Sequence, residues 1–265
     1  MKLRFITAII GIAILIPFVV VGGAWFAYGM LFLAAIGLFE LARMQKISYF
    51  NEVGLISTLA LASVVLPQHY LDGFLNEWNP HSIFYIAGMA LLILTVYRSQ
   101  QFNFVDAATL IFGALYLGFG FRYLIQIRDL GLQTMIYVFL VIWSTDTGAY
   151  FVGKRCGKRP LAPQISPKKT IEGAIGGVLT AVVVTILYSA IVPIQVKHGQ
   201  YLPLLTILIS IAGQFGDLVE SSYKRYFQVK DSGNLFPGHG GVLDRFDSTI
   251  FASIMFIVWH HFKVF

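Results

Sequence analysis

The sequence has 265 residues, 57% of them hydrophobic and only 12% charged, with a mean hydropathy of +0.74. Soluble domains carry about 25% charged residues and cannot conceal this much apolar surface, so a soluble globular fold and a disordered chain are both excluded. Cys156 is the single cysteine, which excludes a disulfide scaffold. The net charge of +6 matches the Lys/Arg excess at the cytoplasmic ends of membrane spans and calls for no nucleic acid partner. The expectation is an all-α, polytopic bundle in the membrane.

Charge-poor windows predict nine transmembrane helices, at 5–22, 24–42, 53–70, 82–97, 104–125, 134–151, 171–193, 201–219 and 248–262. The first follows Met-Lys-Leu-Arg without a clean small-residue cleavage site, and reads as a retained span rather than a signal peptide. The loops assigned to the outer side hold only Arg122, Arg128, Lys197 and Lys263 of the 19 Lys and Arg. That asymmetry predicts a cytoplasmic amino terminus and an outer carboxyl terminus. Spans over 1–133 are mostly plain and apolar. Glu40, near the inner end of the second, has no role that the sequence reveals. Residues 134–265 form the expected catalytic region, with cytoplasmic loops at 152–170 and 220–246.

Half of the chain's charged residues lie in two stretches, 152–172 and 217–247. Asp146 sits in span 6, and Asp217 and Glu220 close span 8. Asp244 and Asp247 open span 9, and their spacing of three places both on one side of a helix. Carboxylates in spans cost about 2.5–3.5 kcal/mol each on insertion scales, so they have a task or a partner. An oxygen-only donor set suits a hard cation such as Mg²⁺. The alternative is a set of separate interfacial anchors, or salt bridges to Arg245 and Lys224.

Residues 164–173, Gln-Ile-Ser-Pro-Lys-Lys-Thr-Ile-Glu-Gly, predict the start of span 7, with Ser166 as N-cap and Pro167 in the first helical position. A helix amino terminus favours phosphate, and Lys168, Lys169 and Thr170 add charge and a hydroxyl there. Ordinary capping and anchoring are the competing reading. Beyond it, Gly173, Gly176 and Gly177 predict a face for close helix packing. Residues 221–248 mix Tyr223, Tyr226, Phe227 and Phe236 with Lys224, Arg225 and Lys230, a composition suited to lipid headgroup level. In Pro237-Gly-His-Gly-Gly241 the glycines predict close backbone approach to a ligand. His239 is either a phosphate donor or simply the turn residue with a side chain.

At this stretch the sequence resembles phosphatidate cytidylyltransferase, the CDP-diacylglycerol synthase family. The resemblance rests on Ser221, Lys224, Arg225, Lys230, Asp231, Gly233, Pro237, His239, Gly240, Gly241, Asp244, Arg245 and Asp247, and on Ser166-Pro-Lys-Lys-Thr-x-Glu-Gly173. Tyr223 stands where the family more often has an aliphatic residue or Phe. The similarity covers about 140–250; over the first hundred residues it is compositional.

The resemblance implies a Mg²⁺-dependent transfer of CMP from CTP to phosphatidic acid at the cytoplasmic face of the inner membrane, by a homodimer. On this expectation Asp217, Asp244 and Asp247, with Asp146, hold Mg²⁺. Ser166, Lys168, Lys169 and Thr170 hold the triphosphate. Lys224, Arg225, Lys230 and Arg245 neutralise phosphate oxygens. A CTP-dependent lipid kinase is the competing enzyme and would attack the γ- rather than the α-phosphorus. A transporter would place its polar groups near the midplane, whereas here they crowd one face.

Overall fold

The computed structural model describes residues 11, 13, 15–70, 79–194, 199–235, 238 and 240–261. Among these lie helices α1 (Gly23–Met44), α2 (Glu52–Val65), α3 (Pro80–Tyr97), α4 (Phe104–Asp129), α5 (Leu132–Cys156), α6 (Ile171–Ile191), α7 (Leu202–Tyr226) and α8 (Leu243–His261). Between α5 and α6, β1 (Pro160–Ala162) and β2 (Ser166–Thr170) form one antiparallel hairpin, pairing Pro160 with Thr170 and Ala162 with Ser166.

The chain is a multi-pass helical membrane protein. Six helices among the described residues are long and apolar enough to cross a bilayer: α1, α3, α4, α5, α6, and α7 together with the short 3-10 turn before it. The prediction of nine is therefore not met by these residues. Much of the first predicted window lies outside the described residues, as do Lys2 and Arg4. The third is only the 14-residue α2, about 21 Å long, against a hydrocarbon core of about 30 Å. It stops because Leu66 precedes Pro67 and takes an extended conformation (ψ 123°), as a residue before proline must. The ninth is α8, whose first turns carry Asp244, Arg245 and Asp247.

The chain divides into two compact units, residues 1–125 with 229–244, and residues 126–228 with 245–265. In the first, side-chain amides set the helix starts. Asn51 caps α2 through the Val53 N–H and Asn79 caps α3 through the His81 N–H, both at 2.9 Å. Asn103 and Asp106 cap α4 reciprocally: Asn103 Oδ1 accepts from Asp106 N, and Asp106 Oδ2 accepts from Asn103 N. Phe26, Met30, Leu38, Leu61, Leu91 and Leu117 are fully buried in this unit. At the entry to α1, Gly22 and Gly23 both take positive φ (69° and 57°), a break that other residues resist.

In the second unit, α5, α6 and α7 pack on one another through small residues and hydroxyls. A Cβ at Gly176 would strike the Val152 side chain, and one at Gly177 the Thr145 carbonyl oxygen. The predicted close-packing glycine face is thus present. Tyr137 and Thr206 share a 2.8 Å hydrogen bond, Thr206 reaches Thr185 at 3.1 Å, and Thr145 pairs with Ser210 at 2.7 Å. All five are buried. Hydrogen bonds between helices are an expected glue where lipid cannot satisfy a hydroxyl. The outer face of α6 carries Ile175, Leu179, Val183 and Ile186, all exposed, as a lipid-facing stripe should be.

Candidate active site

The second unit gathers most of the predicted site residues. α7 brings Asp217, Glu220, Ser221 and Lys224 along one face by their spacing of three and four. β2 brings Lys168, Lys169 and Thr170, α5 brings Asp146, and α8 brings Arg245 and Asp247. Lys169 Nζ forms an ion pair with Asp217 Oδ2, and the Ser221 hydroxyl lies 3.4 Å from Asp217 Oδ1. Asp146 lies within electrostatic reach of Asp217, Lys169 and Arg245. Asp247 faces Asp217 and Asp146 and shares a hydrogen bond with Glu220. Lys224 Nζ is bound to Glu220 Oε2 at 2.7 Å. Lys168 and Arg225 are exposed, and Arg225 Nε donates to the Ile165 carbonyl at 3.3 Å, tying the end of α7 to the hairpin.

The segment predicted to open a helix at Ser166 is instead strand β2, and α6 starts five residues later. Thr170 is its N-cap, accepting from Gly173 N at 3.1 Å. The hairpin explains the shift. Glu172 Oε2 accepts the Lys158 and Arg159 N–H groups at 3.0 and 3.1 Å, and Ile171 N donates to the Arg159 carbonyl. These bonds close the base of the hairpin beside the cap at Thr170. Ser166 and Lys169 therefore stand on a strand, not in a helical turn.

The remaining predicted residues belong to the first unit. Lys230 is exposed. His239 lies outside the described residues. Asp244 is committed to its own loop: its Oδ2 accepts from Ser232 N (2.8 Å), Ser232 Oγ (2.8 Å) and Gly241 N (2.9 Å). The glycines predicted to admit a ligand admit carboxylates of the chain itself. A Cβ at Gly240, which has φ 84°, would meet the Asp244 carboxylate; one at Gly233 or Gly241 would meet that of Glu40. Glu40 and Ser232 were not picked out by motif. The signal available for Glu40 was the cost of a carboxylate at the end of a membrane helix.

The donor set can be tested against a divalent ion. Asp146, Asp217 and Asp247 supply only oxygen, which a hard cation prefers, and the cations that stand among them are Lys169 and Arg245. Among the described residues no three His, Cys, Asp or Glu stand close enough together to hold a metal ion, so the expected meeting of four aspartates around one ion is not seen. An ion here would have at most one or two of these carboxylates as ligands, with water and substrate phosphates completing its shell, a manner of binding usual for Mg²⁺.

The profile of the cytidylyltransferase family matches residues 2–263. A Bacillus subtilis (strain 168) protein called phosphatidate cytidylyltransferase is 41% identical over 254 residues, 95% of this chain and 94% of that protein. Proteins of the same name from Staphylococcus haemolyticus (strain JCSC1435) and Staphylococcus aureus (strain COL) are 44% identical over 251 residues and 41% identical over 254, each match covering 95% of both chains.

Proposed function

The chain belongs to the cytidylyltransferase family, and we propose that it transfers CMP from CTP to the phosphate of phosphatidic acid, giving CDP-diacylglycerol and pyrophosphate. An oxygen of the lipid phosphate attacks the α-phosphorus of CTP, the bond from that phosphorus to the β-phosphate oxygen breaks, and pyrophosphate leaves with the electron pair. A phosphate monoester has a second pKa near ~6, so the nucleophile is already ionised at neutral pH and needs no general base. The difficulty is the approach of two polyanions, and catalysis is then mostly positioning and charge stabilisation.

The observation that carries this reading is the alternation of charge in the second unit, where Lys169 and Arg245 stand among Asp146, Asp217 and Asp247. One or two of Asp146, Asp217 and Asp247 would hold Mg²⁺. Asp244 is assigned to the reaction by the motif it stands in, with its Oδ2 taken by Ser232 and Gly241 of its own unit. When bound, the ion neutralises triphosphate charge and polarises the α-phosphorus. Lys169 exchanges Asp217 for a phosphate oxygen as substrate arrives, and Lys168, exposed on the same strand, meets the triphosphate with Ser166 and Thr170. Lys224, Arg225, Lys230 and Arg245 neutralise oxygens of the lipid phosphate and of the leaving group, with His239 as a further donor. The chain works as a homodimer in the inner membrane with this face toward the cytoplasm, where Lys and Arg concentrate.

The test is incubation of the purified protein with phosphatidic acid, labelled CTP and Mg²⁺. Labelled CDP-diacylglycerol with stoichiometric pyrophosphate supports the reading. Release of CDP with a phosphorylated lipid would replace it by a kinase.

A further inference from the structure

Glu40 lies just over one turn from the end of α1 and is only 3% exposed, yet the reaction proposed above gives it no task. Its Oε1 accepts the Val242 N–H at 2.8 Å. Its Oε2 accepts the Leu243 N–H at 3.0 Å and lies 3.0 Å from the Ser232 hydroxyl. The two amides stand at the start of α8, where N–H groups have no helical carbonyl to receive them and a negative charge suits the helix dipole. The Ser232 hydroxyl also reaches Asp244 Oδ2. It has one proton for two carboxylates and bridges them. Gly233 and Gly241 leave the room that Glu40 fills. Ser232, Gly241, Val242 and Leu243 therefore gather on two carboxylates, one from their own helix and one from a helix about two hundred residues earlier in the chain.

We propose that Glu40 is a positioning residue for the transfer reaction. It fixes Val242 and Leu243 at the start of α8 and, through Ser232, the carboxylate of Asp244, without touching substrate. The role rests on the function proposed above. A neutral cap would be cheaper to bury, but it could not serve the same groups. An amide in place of the carboxylate would turn an NH₂ toward either the Val242 N–H or the Leu243 N–H, opposing donor to donor. Asp in place of Glu keeps the charge and loses one methylene of reach.

The test uses the full-length chain in detergent, with Glu40→Gln, Glu40→Asp and Ser232→Ala. Hydrogen exchange over 240–246 is read beside turnover. Glu40→Gln is expected to speed exchange of the 241–244 amides and to lower kcat at least about tenfold, since small misplacements cost this much, while KM for CTP stays within about threefold of wild type. Glu40→Asp recovers part of both, and Ser232→Ala shifts both in the same direction by less. Wild-type kcat and exchange in Glu40→Gln would overturn the proposal. So would a rise in KM alone, which would make Glu40 a binding residue, or faster exchange throughout the helices with kcat tracking the folded fraction, which would make it a stability residue. Exchange is read without substrate, so it judges the clamp even if the wild-type protein makes no CDP-diacylglycerol, a result that would sink only the proposed function.

Discussion

Lys224 and Glu220 form an ion pair one helical turn apart on α7, with side-chain exposures of 15% and 2%. A pair this far withdrawn behaves asymmetrically. Removing one partner leaves a buried charge and costs about 3–5 kcal/mol, whereas replacing both is often neutral. Lys224→Met is therefore expected to lower the unfolding midpoint in detergent, and Glu220→Gln with Lys224→Met to restore most of it. Turnover should remain low in both if Lys224 meets phosphate. Measuring the midpoint and kcat on the same preparations separates the two roles, and full activity in the double variant would remove Lys224 from the chemistry.

Asp217 is the residue on which Lys169, Ser221, Asp146 and Asp247 converge. Asp217→Asn is expected to lower kcat by about 10²–10³-fold, the scale for losing one preorganised electrostatic contact, and to raise the Mg²⁺ concentration for half-maximal rate. Chelation with EDTA should abolish wild-type activity, and added Mg²⁺ should restore it. A Mg²⁺ titration that superimposes on wild type would show that Asp217 holds no ion.

Lys169→Ala should raise KM for CTP more than KM for phosphatidic acid, because β2 is assigned to the triphosphate. Lys168→Ala should do the same more weakly, since Lys168 is exposed and has more freedom to be replaced by solvent. Steady-state kinetics with each substrate varied in turn decide this. A loss confined to lipid affinity would move β2 to the headgroup.

Gly241→Ala places a methyl group where the Glu40 carboxylate now sits. That carboxylate is held by three donors and has nowhere cheap to go. The variant is expected to lose turnover at least as severely as Glu40→Gln, with the same local rise in exchange over 240–246. Gly199→Ala, where an added Cβ meets nothing within 4 Å, is the matched control and should retain wild-type rate.

The helical membrane fold was legible because hydropathy alone decides it, and the glycine face of α6 was legible because small residues at helical spacing have one common use. That α5, α7 and α8 carry carboxylates at a cost was legible for a related reason, but not which of them come together. Other features depended on partners distant in sequence. Ser166-Pro167 carries a good helix-start signal, but Glu172 bonds back to the Lys158 and Arg159 amides and draws the same residues into a strand. Glu40 stands alone in an apolar window, and its partners lie at 232, 242 and 243. A one-dimensional pattern marks it as costly but cannot say what it holds.

The chain passes between its two units three times, at 125–126, 228–229 and 244–245. Neither unit is a contiguous stretch of polypeptide, so no single cut yields an intact half. A carboxyl-terminal fragment would include 229–244 while lacking Glu40, the carboxylate that organises it. During synthesis the early helices must therefore wait in the bilayer until residue 244 has emerged before their own unit is complete.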